Sequence, residues 1–179
     1  MSEPTTKPVD SPLDVTIPPL DNKARQQAVD RQAQLTKPPE SLGRLETMAA
    51  DIAAMQSTTE PAVDPAVVVT MAADHGVTAE GVSAYPQSIT AAMAANLLDG
   101  GAGVSALCDA NGTENVIVDM GVAGEVPPDV VDHRIADGTA NMAQGPAMSR
   151  EQALAAISAG RSVVAGHAAA ANLVGLGEM

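Results

Sequence analysis

The stretch AVVVTMA at residues 66–72 decides the fold, because it is a β-branched run with no polar alternation. A strand with one face in water alternates apolar and polar residues, whereas an uninterrupted apolar strand is buried on both faces, as in a parallel sheet. Two similar runs follow along the chain, VIVDM at residues 116–120 and LVGL at residues 173–176. Together the three runs predict strands of one buried parallel sheet.

Helical patterns lie between these strands. Two helices are predicted at residues 87–98 and 103–110, and the sequence SREQ at residues 149–152 fits a capping box that opens a helix to about residue 171. Strands that alternate with helices predict an α/β fold with right-handed crossovers.

The chain before the first strand is of another kind. Residues 1–20 hold five prolines and few large apolar residues, which is typical of a mobile arm. Asp21 is placed to cap a helix to about residue 34, and Ser41 to cap a second helix. The second helix has an apolar stripe on one face, which we expect to be packing: Leu42, Leu45, Met48, Ala49, Ile52 and Met55.

We therefore expect three parts: a mobile arm at residues 1–20, a helical part at 21–60, and the first part of an α/β domain at 61–179. In open α/β sheets, ligands bind beyond the carboxyl ends of the strands. The chain stops shortly after the third strand, and a three-stranded sheet with an open edge is a poor independent domain. The expectation is that this sequence is the front part of a longer protein.

Composition excludes several partners. The 9 Lys+Arg against 22 Asp+Glu give a net charge of −13, which argues against nucleic acid and against anionic membrane surfaces. We expect no apolar run near the ~20 residues of a membrane-spanning helix and no secretory signal. One cysteine, Cys108, fits a reducing compartment, so a cytoplasmic location is expected. Low lysine with abundant aspartate is typical of adaptation to high salt, but an ordinary acidic protein stays an alternative.

Candidate site residues follow the predicted strands. Asp74, His75 and Gly76 come directly after the first strand, where a carboxylate and an imidazole suit acid–base work or binding. The alternative is a turn in which Asp74 bonds its own loop amides. His133 and His167 lack ligand-like spacing, so no metal site is expected.

Two other residues extend this candidate site. Tyr85, the only aromatic residue, is either one wall for a flat ligand or a surface side chain. Glu178 supplies a carboxylate beyond the third strand. We expect Cys108 to be a small core residue and Asp119 to accept hydrogen bonds from its loop. The residues thus predict a small-molecule site on three loops, which carry Asp74, Tyr85 and Glu178.

Several segments of these loops resemble one family in its order, over about residues 25–179. They are KPPESLGRLE at 37–46, ADHGV at 73–77, EGVSAYPQ at 80–87, DMGV at 119–122, GTANM at 138–142, GPAMSR at 145–150 and GLGEM at 175–179. The family is that of the nicotinate-nucleotide–dimethylbenzimidazole phosphoribosyltransferases. The resemblance implies a Rossmann-like parallel sheet with helices on both faces, a smaller helical part and a homodimer. It implies transfer of phosphoribosyl from nicotinate mononucleotide to 5,6-dimethylbenzimidazole in cobalamin biosynthesis, with no cofactor.

The resemblance also implies roles for particular residues. Tyr85 and Pro86, with Met93 on the following helix, resemble the wall of the benzimidazole pocket. Gly177 and Glu178 belong to the Gly-Glu-Met segment beside the ribose and nicotinate, and the segment of Asp74, His75 and Gly76 lies beside the site. Glu40 stands where the family usually has glycine, and we expect no large effect from it.

The general base of the family belongs to a C-terminal part that follows the matched segments. We therefore expect negligible activity from these 179 residues alone. One alternative is a non-catalytic module that binds benzimidazole or dimerises. A dinucleotide-dependent enzyme is disfavoured, because no Gly-x-Gly-x-x-Gly turn follows the first strand.

Overall fold

The computed structural model of the chain describes residues 15–179. Most of the predicted arm lies outside these residues; the part at 15–20 is exposed and has no regular secondary structure. The described chain divides into two compact units, Val15–Val63 and residues 64–179. The first is a pair of helices, and the second contains the sheet.

In the first unit, helix α1 (Asn22–Ala33) packs against helix α2 (Arg44–Gln56). Asp21 caps α1 as predicted, because its carboxylate accepts hydrogen bonds from the backbone N–H groups of Lys23 and Ala24 at 2.9 and 3.0 Å. Small side chains form the buried contact between the two helices: Ala24, Ala28, Ala50, Ala53 and Ala54.

Four of the six residues in the predicted apolar stripe are exposed within the described residues, so the prediction of packing is wrong for them, whereas Ala49 and Ile52 are half-buried. Leu42, Leu45, Met48 and Met55 are 51–67% exposed. The reason is that α2 turns its alanines, not its large apolar side chains, towards α1, since small residues allow the closest approach of two helices. This surface, which we call the α2 stripe, is taken up again below.

The predicted cap at Ser41 is also wrong, because the chain before α2 folds as successive turns. The N-cap is Gly43, with φ +55°, and the backbone N–H of Ser41 donates to the carbonyl of Pro38 at 3.2 Å. Glu40 has φ +59°, in the left-handed region that favours glycine. A glutamate at this position therefore carries backbone strain that the sequence did not reveal.

The second unit is built on a parallel sheet, which confirms the predicted α/β class. In the described residues the strand order is β3-β2-β1-β4. The strands are β1 (Ala66–Ala73), β2 (Glu114–Gly121), β3 (Val131–Asp132) and β4 (Leu173–Glu178). The sequence predicted β1, β2 and β4, but β3 has only two residues, too few to give a pattern.

Helices cover both faces of this sheet. A short 3-10 helix (Gly76–Glu80) and helices α3 (Ile89–Leu98) and α4 (Gly103–Asn111) connect β1 to β2, and α5 (Arg150–His167) precedes β4. Val116 and Val118 of β2 join the cluster that contains Val163 of α5, whereas Ile117 packs with Ala94 and Leu97 of α3. Alternate residues of β2 thus enter two cores, as expected for a strand buried on both sides.

Residues 89–111 together have the length and apolar composition of a membrane-crossing helix, contrary to the expectation that no run approaches that length. The structure divides them into α3, with 10 residues, and α4, with 9. Gly100, with φ +78°, lies in the turn between the two helices. Each helix has about half of the ~20 residues that a span requires.

Candidate functional site

A cavity of about 480 Å³ opens at the carboxyl ends of β1 and β2. This volume is in the range of small-molecule sites, which occur preferentially at such strand ends. Three segments enclose the cavity: the ends of the two strands, the loop after β3 and the first turns of α5. The lining residues are Ala73, Asp74, His75, Met120, Gly121, Ile135, Ala136, Gly138, Thr139, Ala140, Pro146, Ala147, Met148, Ser149, Gln152 and Ala156.

Asp74 is at the centre of the hydrogen bonds around this cavity and is only 4% exposed. Its Oδ1 accepts from the hydroxyl of Thr90 at 2.6 Å, and its Oδ2 accepts from the backbone N–H of Ala123 at 2.7 Å. Its backbone carbonyl accepts from the N–H of Thr139, and its N–H donates to the carbonyl of Gly121. The predicted turn is wrong, because Asp74 bonds other segments and not its own loop. Each oxygen has one donor, and the role of Asp74 in binding or acid–base work stays a prediction.

His75 and Gly76 join the end of β1 to the loop after β3. His75 and Thr139 form an isolated parallel bridge, and Nδ1 of His75 lies 3.4 Å from the Thr139 hydroxyl. The N–H of Gly76 donates to the Thr139 carbonyl at 3.0 Å. A Cβ on Gly76 would lie 2.6 Å from the backbone nitrogen of Asn141, so the close approach of the two segments requires glycine here. The side chain of Asn141 also donates to Glu80 at 2.6 Å.

Asp119 organises the loop after β2 and is 1% exposed. Its Oδ1 accepts from the N–H groups of Gly121 and Val122 at 2.9 and 2.8 Å, which confirms the predicted role. Its Oδ2 accepts from Nε and Nη2 of Arg134 at 2.9 and 2.8 Å. Hydrogen bonds to Asp119 raise the pKa of the Arg134 guanidinium, and Asp137 adds to the effect.

Arg134 is the residue of this region that sequence reasoning missed. It lies in an irregular stretch 15 residues after Asp119, and no motif marked it. Its Nη2 also donates to the carbonyl of Gly124 at 2.7 Å. The only available signal was indirect: a buried strand carboxylate such as Asp119 needs a partner, and few basic residues occur in the chain.

The first turn of α5 forms part of the cavity wall and is capped as predicted. The N–H of Gln152 donates to the Ser149 hydroxyl at 3.2 Å, and the Gln152 side chain accepts from the Ser149 N–H at 2.8 Å. Hydrogen bonds from its own backbone N–H and from the Ser149 hydroxyl lower the pKa of Glu151. The capping box thus fixes the direction in which α5 starts from the cavity.

The remaining predicted site residues lie elsewhere. Tyr85 is 71% exposed, Pro86 is exposed as well, and neither lines the cavity. Met93 is half-buried on α3. Gly177 and Glu178 are in β4, which is the edge strand of the described sheet, and Glu178 is exposed. The structure therefore brings Asp74 and His75 to the cavity with Gly76 beside them, and the roles of the other five residues stay predictions.

The cavity is mostly apolar and carries no fixed cation. Among the described residues that line it, none is lysine or arginine. Within residues 15–179, no group of three or more His, Cys, Asp or Glu side chains could hold a metal ion. Cys108 is buried in α4, and desolvation raises the pKa of its thiol, so it is a core residue as predicted.

Comparisons with known proteins agree with one family. A family model described as a phosphoribosyltransferase matches residues 17–179. The nicotinate-nucleotide–dimethylbenzimidazole phosphoribosyltransferase of Syntrophotalea carbinolica is 48% identical over 169 residues, which are 91% of this chain and 48% of that protein. The protein of the same name from Halalkalibacterium halodurans is 46% identical and is matched over 92% of this chain and 46% of its own length.

A solved structure has the same fold. The crystal structure of the nicotinate-nucleotide–dimethylbenzimidazole phosphoribosyltransferase from Thermus thermophilus superposes with a TM-score of 0.85 at 44% sequence identity. The match covers 89% of this chain and 49% of that one. The chain thus spans about half the length of the curated relatives that it matches.

Proposed function

The chain belongs to the nicotinate-nucleotide–dimethylbenzimidazole phosphoribosyltransferase family, and on that premise we propose that it serves phosphoribosyl transfer in cobalamin biosynthesis. The donor is nicotinate mononucleotide, the acceptor is 5,6-dimethylbenzimidazole, and the products are α-ribazole 5′-phosphate and nicotinate. The proposal includes a cytoplasmic location and no partner among nucleic acids or membranes, which the net charge of −13 supports.

The convergence of separate family segments on one cavity carries this proposal. The segments at residues 73–77, 119–122 and 138–150 are far apart in the sequence, yet each supplies lining residues to the cavity at the strand ends. These segments lie largely in loops. Loops vary more among relatives than the strands and helices that they connect, and binding and catalytic residues concentrate in them. Their meeting supports a substrate-binding role for this end of the sheet.

The reaction needs charge stabilisation more than it needs a cofactor. A benzimidazole nitrogen forms a bond to the anomeric carbon of ribose while the bond from that carbon to the pyridine nitrogen of nicotinate breaks. The ribose becomes oxocarbenium-like, and a carboxylate close to it lowers the barrier. We assign that role to Glu178, whose exposed position at the carboxyl end of β4 leaves room for a ribose.

The acceptor must also lose a proton, and a general base takes it. We do not assign this task to Asp74, because its two oxygens already hold Thr90 and Ala123 in place. In our proposal the base lies in the part of the family's chain that residues 1–179 do not match, and these residues alone turn over negligible substrate.

Tyr85, Pro86 and Met93 form the proposed wall for the benzimidazole. Tyr85 suits stacking because most of its ring is free, with 71% of the residue exposed. This wall lies outside the lining of the cavity, which contains no lysine or arginine among the described residues. We propose that the phosphate is held by backbone N–H groups, such as those at helix N-termini.

We further propose that the family's homodimer involves the α2 stripe. A core of alanines buries little apolar surface within this helix pair, so its exposed leucine and methionine side chains favour a partner. Leu45→Lys should reduce self-association in analytical ultracentrifugation while the melting temperature of the monomer changes little, since Leu45 is 62% exposed. Unchanged association of this variant would remove the stripe from the proposed interface.

A second candidate function is a module that binds benzimidazole without catalysis, which the exposed ring of Tyr85 would allow. One experiment separates the two. The purified chain is incubated with both substrates, product is followed by chromatography, and base binding is measured by calorimetry. Tyr85→Ala should weaken base binding about tenfold, because stacking is lost. The control variant is Leu107→Ala, which removes an exposed apolar side chain elsewhere, on α4, and should leave base binding unchanged. Equal binding by the two variants would reject the Tyr85 wall, and turnover by wild type would reject the assignment of the base to the unmatched part.

A further inference from the structure

The start of helix α3 is held from outside the helix. Its N-cap residue, Ser88, makes no side-chain capping hydrogen bond. Instead Thr90, in the first turn of α3, donates its hydroxyl to Oδ1 of Asp74 at 2.6 Å. The Asp74 carboxylate thus lies near the N-terminus of α3, where a negative charge is favourable.

The other oxygen of Asp74 connects the same carboxylate to the neighbouring strand. Oδ2 accepts from the N–H of Ala123, two residues beyond β2, at 2.7 Å. The backbone N–H of Asp74 donates to the carbonyl of Gly121, the last residue of β2. One buried side chain therefore joins the ends of β1 and β2 to α3. A carboxylate suits this position, because the two groups that contact its oxygens, a hydroxyl and a backbone N–H, are both hydrogen-bond donors.

This connection extends to Tyr85 through the backbone. The N–H of Thr90 donates to the carbonyl of Gln87 at 3.0 Å, and the N–H of Ile89 donates to the carbonyl of Pro86 at 3.1 Å. Tyr85 directly precedes Pro86, so a short hydrogen-bonded turn connects it to the anchor at Thr90. Residues 81–86 are themselves exposed and have few other contacts that could fix them.

We propose that Asp74 and Thr90 are positioning residues that hold the segment carrying Tyr85 and Pro86 against the carboxyl ends of the strands. The functional meaning of this anchor rests on the proposed function, in which Tyr85 is one wall of the base site. The anchor itself is a property of the fold, and it can be tested without substrate.

The test uses three threonine variants. Thr90→Val keeps the shape of the side chain but removes the hydroxyl, and Thr90→Ser keeps the hydroxyl. The control is Thr70→Val, since the Thr70 hydroxyl also donates to a side chain, that of Asn115 within the sheet, at 3.4 Å. Thr70 is buried, at 5% exposure, whereas Thr90 is half-buried. The chain has one tyrosine, so 3-fluorotyrosine labelling gives a single ¹⁹F resonance that reports on Tyr85 alone. Amide hydrogen exchange of residues 87–93 gives the second measurement.

Thr90→Val should shift and sharpen the ¹⁹F resonance and speed exchange at residues 87–93 on the order of tenfold, because a hydrogen bond to a charged group is lost. Thr90→Ser should match wild type in both measurements, and Thr70→Val should leave the ¹⁹F resonance unchanged. A wild-type resonance in Thr90→Val, or the same change in Thr70→Val, would overturn the proposal.

Base binding separates this inference from the proposed function. Dimethylbenzimidazole titrated into the labelled wild type should move the ¹⁹F resonance, and Thr90→Val should raise the dissociation constant several-fold, with recovery in Thr90→Ser. If wild type binds no base, the Tyr85 wall is rejected while the substrate-free ¹⁹F and exchange results still decide the anchor. If wild type binds and Thr90→Val binds equally well, the anchor has no role in positioning the base site.

Discussion

Replacing Gly76 by alanine tests the meeting of segments that builds the candidate site. The added Cβ would lie 2.6 Å from the nitrogen of Asn141, 2.7 Å from the carbonyl carbon of Ala140 and 2.8 Å from the oxygen of Thr139. All three are backbone atoms, so no side-chain rotation relieves the clash. The end of β1 and the loop after β3 must move apart.

The cost follows from the distances. Ordinary contact begins near 3.4 Å, so the two backbones must separate by about 0.8 Å from the 2.6 Å contact. Forced overpacking costs about 1–3 kcal/mol. The hydrogen bond from Gly76 to the Thr139 carbonyl, 3.0 Å long, weakens at the same time and adds about 1 kcal/mol. We expect Gly76→Ala to lose about 2–4 kcal/mol of unfolding free energy, or roughly 5–12 °C in melting temperature for a chain of this size.

Gly145→Ala is the matched control. Gly145 lies in the loop after β3, which Gly76 contacts, and a Cβ on Gly145 would meet nothing within 4 Å. Its melting temperature should stay within about 2 °C of wild type, since a substitution at an open site changes little. The assay is thermal unfolding followed by circular dichroism at equal protein concentration. A Gly76→Ala melting temperature equal to that of Gly145→Ala would refute the packing argument.

Three further predictions concern other parts of the chain. Glu40→Gly should stabilise the protein by about 1 kcal/mol in denaturant unfolding, since glycine tolerates the φ of +59°; a loss of stability would contradict the strain. The hydrogen bond from Lys37 lowers the pKa of Glu46 below 4.5, so the ion pair should stabilise the protein above that pH and lose its effect as pH falls through the lowered pKa. The difference in melting temperature between wild type and Glu46→Gln should therefore be present at neutral pH and vanish in acid. A difference that persists in acid would show that it does not come from the ion pair of Lys37 and Glu46. Molar salt should raise the melting temperature by screening the net charge of −13, and no rise would remove the high-salt interpretation.

The parts of the fold that could be predicted have strong local signals. β1 and β2 are uninterrupted apolar runs, and the caps at Asp21 and Ser149 use side chains that bond their own helices. β3 could not be found, because its two residues are too few to show a pattern and pair with β2 across a loop.

The site was predictable only in part, for a similar reason. The sequence marked Asp74 and His75 as strand-end residues, but it could not show that Asp74 bonds Thr90 and Ala123, since those contacts span 16 and 49 residues. The α2 stripe was misjudged because helical spacing shows that side chains share a face, not whether that face is covered.

The most direct test of the central claim is the position of the base on the chain. Intermolecular nuclear Overhauser effects from the methyl protons of 5,6-dimethylbenzimidazole can be assigned without ambiguity to the single tyrosine ring, Tyr85. We predict intermolecular nuclear Overhauser effects from the base to the Tyr85 ring and to the methyl group of Met93. Effects confined to the exposed methionines of the α2 stripe, Met48 and Met55, would contradict it.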